Sequence, residues 1–303
     1  QPASAGLRSL TMKVLVTGAR GQLGHDVVSA LRKAGTEAIT PQRDELDFML
    51  PETIAETVEM HRPDWIVNCA AYTRVDRAES EPDIAFRVNR DAAGQLAAAA
   101  AAAGARLLHV STDFVFNGRQ SRPYRETDAP DPLSVYGRSK LAGEQVVAAV
   151  MPDAVILRTA WVYGVHGHNF VKTMLRLALQ GQALRVVDDQ VGSPTWTVDL
   201  AAVILQLMAA NARGLFHYTN AGSTSWHGFA QAILDQAAAA GYELETTAVE
   251  PIPTTAWPTP AVRPACSVLD TGKIERLLAL AIPDWHDSLD QMLRELKTCA
   301  DCL

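Results

Sequence analysis

Cysteine is scarce, with four in 303 residues, aromatic side chains make up only 6% of the chain, and no unbroken apolar run nears the roughly 20 residues that a membrane span needs. The alanine-rich stretch at 96–103 is both short and weakly apolar, so no membrane partner is expected. Four cysteines make no disulfide framework in such a length, which fits a reducing cytoplasm. Two of them, Cys299 and Cys302, fall in the last five residues. With no second Cys or His pair nearby to complete a zinc site, they read as a frayed tail without function. Cationic charge is also in short supply: 27 Lys and Arg against 34 Asp and Glu give a formal net charge of -7 and a pI near 5.6. That balance repels a polyanion and no basic run offsets it, so nucleic acid is not an expected partner. A small anionic ligand needs only a local cationic pocket. Residues 1–11 lack the apolar core of a signal peptide and precede Met12, which opens a strand pattern; they read as a leader or an artificial extension.

Hydrophobic residues, by contrast, reach 48%, enough for the core of one large or two modest domains. Short β-branched runs at 13–17, 38–40, 65–69, 106–111 and 155–159 read as strands, and helical patterns at 22–33, 51–61, 82–103 and 135–150 lie between them. Strand and helix in alternation imply an α/β, Rossmann-like, doubly wound parallel sheet over residues 12–162. The alanines closing the 82–103 helix are good helix formers, and their small side chains let a helix lie close on a sheet. After residue 162 the rhythm changes. Helices at 170–179, 200–212 and 226–239, strands at 184–187 and 216–220, a proline-rich connection at 251–264 and two final helices describe a smaller mixed α/β substrate lobe, 163–303, from which some segments can return to the first domain.

Directly after the first strand comes Gly18, Ala19, Arg20, Gly21, Gln22, Leu23, Gly24, a GxxGxxG turn opening a helix. Glycines let the backbone turn tightly and let a pyrophosphate approach free N–H groups at the helix N-terminus. Such a turn after a strand, at the start of a βαβ unit, is a dinucleotide signature, although a tight turn with no ligand uses the same residues. The acid that normally holds ribose hydroxyls at the end of the second strand is missing. Arg43 stands there instead, either as a partner for the 2′-phosphate of NADP or as a plain solvated arginine. Asp47 and Phe48 are candidates to flank the adenine. Ala70, Ala71 and Tyr72, at the end of the third strand, are candidates to let a cofactor lie against its carboxyl edge.

Tyr136 and Lys140 stand four apart in the predicted helix at 135–150, a spacing that puts both on one face. At about 5 Å and an effective dielectric of about 20, the ammonium favours phenolate by roughly 3 kcal/mol, enough to bring a pKa of about 10 down to near 8. Such a Tyr can act as a general acid near neutral pH. The fourth strand ends in Ser111, Thr112, Asp113, where open parallel sheets bind ligands. Thr112 is placed to hydrogen-bond a reacting oxygen or Tyr136, while Ser111 and Asp113 also suit a turn or cap.

These segments together resemble the extended short-chain dehydrogenase/reductase family, and within it the branch that reduces the 4-keto group of dTDP-4-dehydro-L-rhamnose. The resemblance runs from Met12 to about Lys297, on Gly18 to Gly24, Val67 to Tyr72 with Asp76 and Glu79, Ser111 to Phe116, Val135 to Glu144, Arg158 to Tyr163, Asn169 with Phe170, Asp189 to Thr195, and Arg263, Pro264 with Ser267. It implies NADPH or NADH as cofactor, Tyr136 as the proton donor, Lys140 as its support and ribose ligand, and Thr112 as an aid. It also implies cofactor contacts at Gly21, Gln22, Leu23, Asp47, Phe48, Ala70, Ala71 and Tyr72. Sugar-nucleotide contacts fall on Thr112, Asp113, Trp161 and Asn169, and Arg263 is the candidate cation for the substrate diphosphate. A rim salt bridge and ordinary packing are the competing roles for Arg263 and Trp161. The family also implies Mg2+, partly as a link between subunits. Asp26 and Glu295 stand where acids would be expected but Val198 replaces another, leaving monomer or homodimer open. Asp26, read as lying in the first turn of its helix, is equally explained as dipole compensation. The same Tyr and Lys serve other nucleotide-sugar reductases and epimerases. One relative is a non-catalytic regulatory subunit of methionine adenosyltransferase, against which the retention of Thr112, Tyr136 and Lys140 argues.

Overall fold

The computed structural model describes residues 12–299 and residue 302; the leader read at 1–11 lies outside the described residues. The first half runs β1 (Lys13–Thr17), α1 (Gln22–Lys33), β2 (Glu37–Ile39), α2 (Pro51–His61) and β3 (Trp65–Asn68). Two short helices follow, α3 (Val75–Ala78) and α4 (Pro82–Phe86), then a π-helical turn at Arg87–Asp91 and α5 (Ala92–Ala103). β4 (Arg106–Thr112), a 3-10 turn at Asp113–Val115, α6 (Val135–Val150) and β5 (Val155–Thr159) complete it. The single helix expected over 82–103 is therefore interrupted, because the π turn diverts Asn89 into contacts described below.

The second half runs β6 (Val162–Tyr163), α7 (Phe170–Leu179), β7 (Leu184–Val187), β8 (Val191–Gly192), β9 (Thr195–Trp196) and α8 (Thr197–Ala209). β10 (Gly214–His217), β11 (Thr224–Ser225), α9 (Trp226–Ala239), β12 (Val249–Ile252), α10 (Gly272–Leu278) and α11 (Trp285–Thr298) follow. Six strands form one parallel sheet in the order β10-β5-β4-β3-β1-β2. From β1 the chain steps outward to β2 and then returns to β3 on the other side. That reversal opens a crevice at the carboxyl ends of β1 and β3, where ligands bind in sheets of this kind.

Period-two alternation divides the core. Val14 and Val16 of β1 join α1, α8 and Ile274 of α10 on one face, while Leu15 joins α2, α5 and Val147 of α6 on the other. Ala92, Ala93, Ala97 and Ala100 are buried there, so the alanine run does form a helix laid close on the sheet. A separate core gathers α7, α9 and α11 around Phe229, Leu289 and Trp285. α8, β10 and α10, which follow residue 162, pack in the first layer. β10 pairs with β5 from Gly214 onward and stops at His217, two residues earlier at its start and three earlier at its end than the 216–220 expected. α8 likewise ends at Ala209, before Asn211 turns into the left-handed region at φ 49°. Among the described residues no helix is long and apolar enough to cross a membrane.

Candidate active site

The turn after β1 builds one end of the site. Gly18 adopts φ +65°, and a Cβ there would stand 2.9 Å from the backbone nitrogen of Ala70; a Cβ on Gly24 would collide with the carbonyl of Gly18. Only hydrogen at both positions lets the turn close against β3. Gly21 precedes α1 with no side-chain cap, and the first turn of α1 holds no acid, so its leading N–H groups remain available to an anion. Asp26 lies beyond that first turn, which removes dipole compensation as its explanation. A cavity of about 1000 Å³ opens over the turn and is walled by residues 17–20, 40–43, 46–49 and 70–74. Gly18, Arg43, Asp47, Phe48, Ala70, Ala71 and Tyr72 all line it. Gly21, Gln22, Leu23 and Gly24 do not; they close the turn and start the helix, with Leu23 packed into the core.

Arg43 is 84% exposed and only 3.8 Å from Asp47, a loose pair at the cavity mouth. Beside it lies Arg20, whose guanidinium donates to Gln42; both arginines share a second recess with Asp44 and Asp47. Arg20 stands at a non-glycine place of the turn, to which the glycine pattern assigns no role. The signal for it is a cation set among the glycines of a turn whose pattern suits a phosphate.

The other end forms where β3 and β4 finish. Thr112 Oγ1 accepts from the N–H of Phe114 at 3.2 Å and donates to Asp113 at 3.0 Å, which turns the chain sharply after β4. Ser134 caps α6 by accepting from Gly137 N–H, and Glu79 accepts from Val135 N–H at 2.7 Å. A Cβ on Gly137 would strike the carbonyl of Phe114, so α6 lies directly on that turn, with the Tyr136 ring edge-on to Phe114 at 5.6 Å. Lys140 is buried and donates to the carbonyl of Val110 at 2.7 Å. Asn89, from the π turn, accepts from Tyr72 N–H at 2.8 Å and donates to the Tyr72 carbonyl and to Ser139 at 2.9 Å. It thereby fixes the cavity wall to the helix that carries Tyr136 and Lys140. Nothing in the sequence marked Asn89, since its partners lie 17 and 50 residues away.

The expected lowering of the Tyr136 pKa does not occur. Burial pushes the phenol up to about 12, with the Thr112 hydroxyl working against the rise and Asp113 adding to it. Burial likewise pulls the Lys140 ammonium down to about 8, against the attraction of Glu144 and Cys69. The spacing argument weighed only the ammonium's attraction across a dielectric of about 20 and left out desolvation; withdrawn from water, each group titrates toward its neutral form. Burial also lifts Asp113 to about 6, opposed by the hydroxyls of Ser267 and Thr112. Asp113 Oδ2 and Ser111 Oγ are buried and make no hydrogen bond, so the end of β4 holds unused polar atoms suited to a hydroxyl-bearing ligand.

The remaining substrate candidates are engaged elsewhere. Trp161, at φ 45°, stacks on Trp226 at 3.6 Å and 8°, so one face of its indole is covered. Asn169 caps α7 by accepting from Lys172 N–H and donates to Gln22 and the Gly164 carbonyl. Both amide hydrogens are committed, which ties the start of α7 to the glycine turn. Arg263 forms a two-pronged pair with Asp76 at 3.0 and 2.7 Å, the rim salt bridge that competed with its diphosphate role. Cys299 and Cys302 are joined and pack against the core of α7, α9 and α11, so these two residues are held in place and not frayed. At Asp26, two imidazoles of His25 and His166 supply the neighbouring donors. Val198 is exposed and apolar. Glu295, the other acid expected there, lies near enough for Asp26 to add to the burial that holds its carboxyl above the usual range, so two carboxylates as well as two imidazoles meet on this flank of α1.

A doubly wound sheet, a glycine turn at its reversal point and a buried Tyr-Lys helix beside it define a short-chain dehydrogenase. The chain belongs to the family described as the RmlD substrate binding domain, which matches residues 12–298. It is 44% identical over 296 residues to the dTDP-4-dehydrorhamnose reductase of Burkholderia thailandensis, covering 94% of this chain and 99% of that one. With the Salmonella typhimurium enzyme of the same name it shares 43% over 295 residues, 95% of this chain and 99% of the relative. The crystal structure of dTDP-4-dehydrorhamnose reductase from Bacillus anthracis in complex with NADP superposes with a TM-score of 0.89 at 36% identity, covering 94% of this chain and all of that one. The UDP-glucose 4-epimerase of Thermus thermophilus, at 20% identity and a TM-score of 0.80, shares the fold.

Proposed function

We propose that the protein reduces the C4 keto group of dTDP-4-dehydro-L-rhamnose to the secondary alcohol of dTDP-L-rhamnose, with NADPH as reductant. What supports the reading is the Thr112 hydroxyl acting on the Tyr136 phenol at the end of β4, with Lys140 bonded to Val110 of the same strand, in a chain more than two-fifths identical to named reductases of that ketosugar; none of the three lines the glycine-turn cavity. Bound nicotinamide supplies the hydride that reaches C4 and leaves oxidised. Tyr136 gives its phenolic proton to the ketone oxygen as negative charge develops there, and solvent later restores that proton. A phenol at about 12 is fully protonated at neutral pH, the form a proton donor needs. Thr112 orients the phenol, and Lys140, while it holds its ammonium proton, stabilises the phenolate left behind. Asp113 Oδ2 and Ser111 accept from sugar hydroxyls. The paired arginines Arg20 and Arg43 at the cavity mouth favour the extra phosphate of NADPH over NADH.

In this reading the sheet lobe holds cofactor and the α7, α9, α11 lobe holds the sugar nucleotide, in the cytoplasm, with no nucleic acid involved; the working unit is a monomer or homodimer. Following the absorbance of reduced nicotinamide with a panel of nucleotide ketosugars tests it. Turnover of the rhamnose precursor ahead of the others is expected, and turnover of another ketosugar with none of that precursor would sink the assignment.

A further inference from the structure

Tyr136, Lys140 and Glu144 follow one another at four-residue intervals on one face of α6, and all three are buried. Beneath them the sheet presents polar side chains at paired positions: Arg158 of β5 stands opposite Ser111 of β4 on one side and His217 of β10 on the other. Arg158 holds Glu144 with two nitrogens, Nε donating to Oε1 at 2.8 Å and Nη2 to Oε2 at 2.6 Å. The rest of the guanidinium is enclosed as well. Its Nη1 points at His217 Nε2 at 3.4 Å, and its carbon lies 5.0 Å from the centre of the Phe116 ring. His217 Nδ1 donates to the Tyr124 carbonyl at 3.0 Å, which leaves Nε2 as the acceptor for Arg158. A carboxylate held at both oxygens by a buried arginine is fixed in place.

Buried ion pairs contribute little to stability where apolar groups of the same volume would pack as well, so this one, a helical turn beyond Lys140, calls for another account. Charge near Lys140 is scarce. Cys69, at the end of β3, adds negative charge only as a thiolate, and burial pushes that thiol up to about 12. Asn68 accepts from Thr17 Oγ1 at 2.6 Å and donates its amide to His109 Nδ1 of β4 at 2.9 Å; burial and Lys140 itself keep that imidazole neutral. Tyr136 retains its proton, and Asp113 acts on Tyr136. Among the described residues Glu144 is therefore the charge that holds a proton on Lys140, against a burial that draws it off. We propose that Glu144 is a positioning residue for the reduction: its carboxylate, locked by Arg158, keeps Lys140 in the ammonium form that steadies the phenolate of Tyr136. The consequence for turnover rests on the reductase reading above; the hold on the Lys140 proton does not.

Lysine isotopically labelled at Cε reports each ammonium by NMR, and among the six lysines of the full chain the Lys140 signal is the one lost in Lys140→Met. Its midpoint, about 8 in the parent, should fall by at least about one pH unit in the chain carrying Glu144→Gln with Arg158→Met, as loss of a neighbouring charge in a site of low dielectric requires. Both charges are removed together because Glu144→Gln alone would leave Arg158 buried without its partner. Circular dichroism reports the fold, and Glu144→Gln with Arg158→Gln takes over if that chain is unfolded. The alkaline limb of the kcat profile, with NADPH and the ketosugar saturating, should move down with the midpoint. A merely structural role would lower kcat alike at every pH and leave Lys140 where it was. Glu144→Asp, which keeps the charge, should bring both midpoints back near those of the parent. An unmoved Lys140 midpoint in the folded double variant overturns the proposal, and so does a shifted midpoint with an unmoved profile. Were the reductase reading itself at fault, the parent would turn over none of the ketosugar while the Lys140 shift remained.

Discussion

At the dinucleotide end the chain presents backbone and surface: two glycines that exclude side chains, unpaired N–H groups, and arginines held loosely at a cavity mouth. At the chemical end it presents side chains withdrawn from water, with Tyr136, Lys140 and Asp113 all buried and all shifted toward their neutral forms. The first end is a matter of local conformation, so substitutions there act through shape and affinity. The second is a matter of environment, so substitutions there act through protonation and desolvation.

The sharpest way to break the contrast is Tyr136→Phe. Turnover should fall at least about a hundredfold, the lower range for acid-base assistance, while NADPH binding by fluorescence titration stays unchanged. An equal loss of binding would mean that Tyr136 serves the dinucleotide end instead. Gly24→Ala should do the reverse, destabilising the turn by about 1–3 kcal/mol through the clash with Gly18 and weakening NADPH with it; urea unfolding and the same titration would read both.

Lys140→Met should abolish most activity yet stabilise the unliganded chain by about 2 kcal/mol, the burial penalty less the lost hydrogen bond to Val110. Its pH signature has a definite sign. Lys140 titrates at about 8 when folded and at an ordinary 10.5 when unfolded, so the unfolded chain binds more protons between those values. This contribution therefore makes parent stability rise with pH across that window, and the variant should lose that rise in urea melts at several pH values. Least in size, Arg20→Ala should lower the preference for NADPH over NADH by roughly tenfold in kcat/KM, about one hydrogen bond to a charged group. The largely solvated Arg43 should give less, and an unaltered preference in both variants would remove them from the 2′-phosphate.

Much of the fold was legible because it rests on short-range pattern. The strands at 13–17 and 155–159 and the helices at 22–33, 51–61 and 135–150 emerge at the expected bounds, since apolar periodicity and glycine stops act within a few residues. Gly18, Ala70, Ala71 and Tyr72 line one cavity with Phe48 because parallel pairing of β1 and β3 brings their carboxyl ends together. Asn89, Arg263 and Asn169 were not legible in role. Each is decided by a partner far along the chain: Ser139 for Asn89, Asp76 for Arg263 and Gln22 for Asn169. β10 joined the sheet instead of a second lobe because β5 left an edge that only tertiary packing could fill.

By itself the order of residues determined that a tight glycine turn follows the first strand and that a tyrosine and a lysine share one helical face. Backbone sterics and the helical period settle both without distant help. Only the folded chain decided that this tyrosine would sit at about 12 and this lysine at about 8, and that His166 would come to face His25. Dielectric surroundings and cross-chain neighbours are made by packing, and no local pattern carries them.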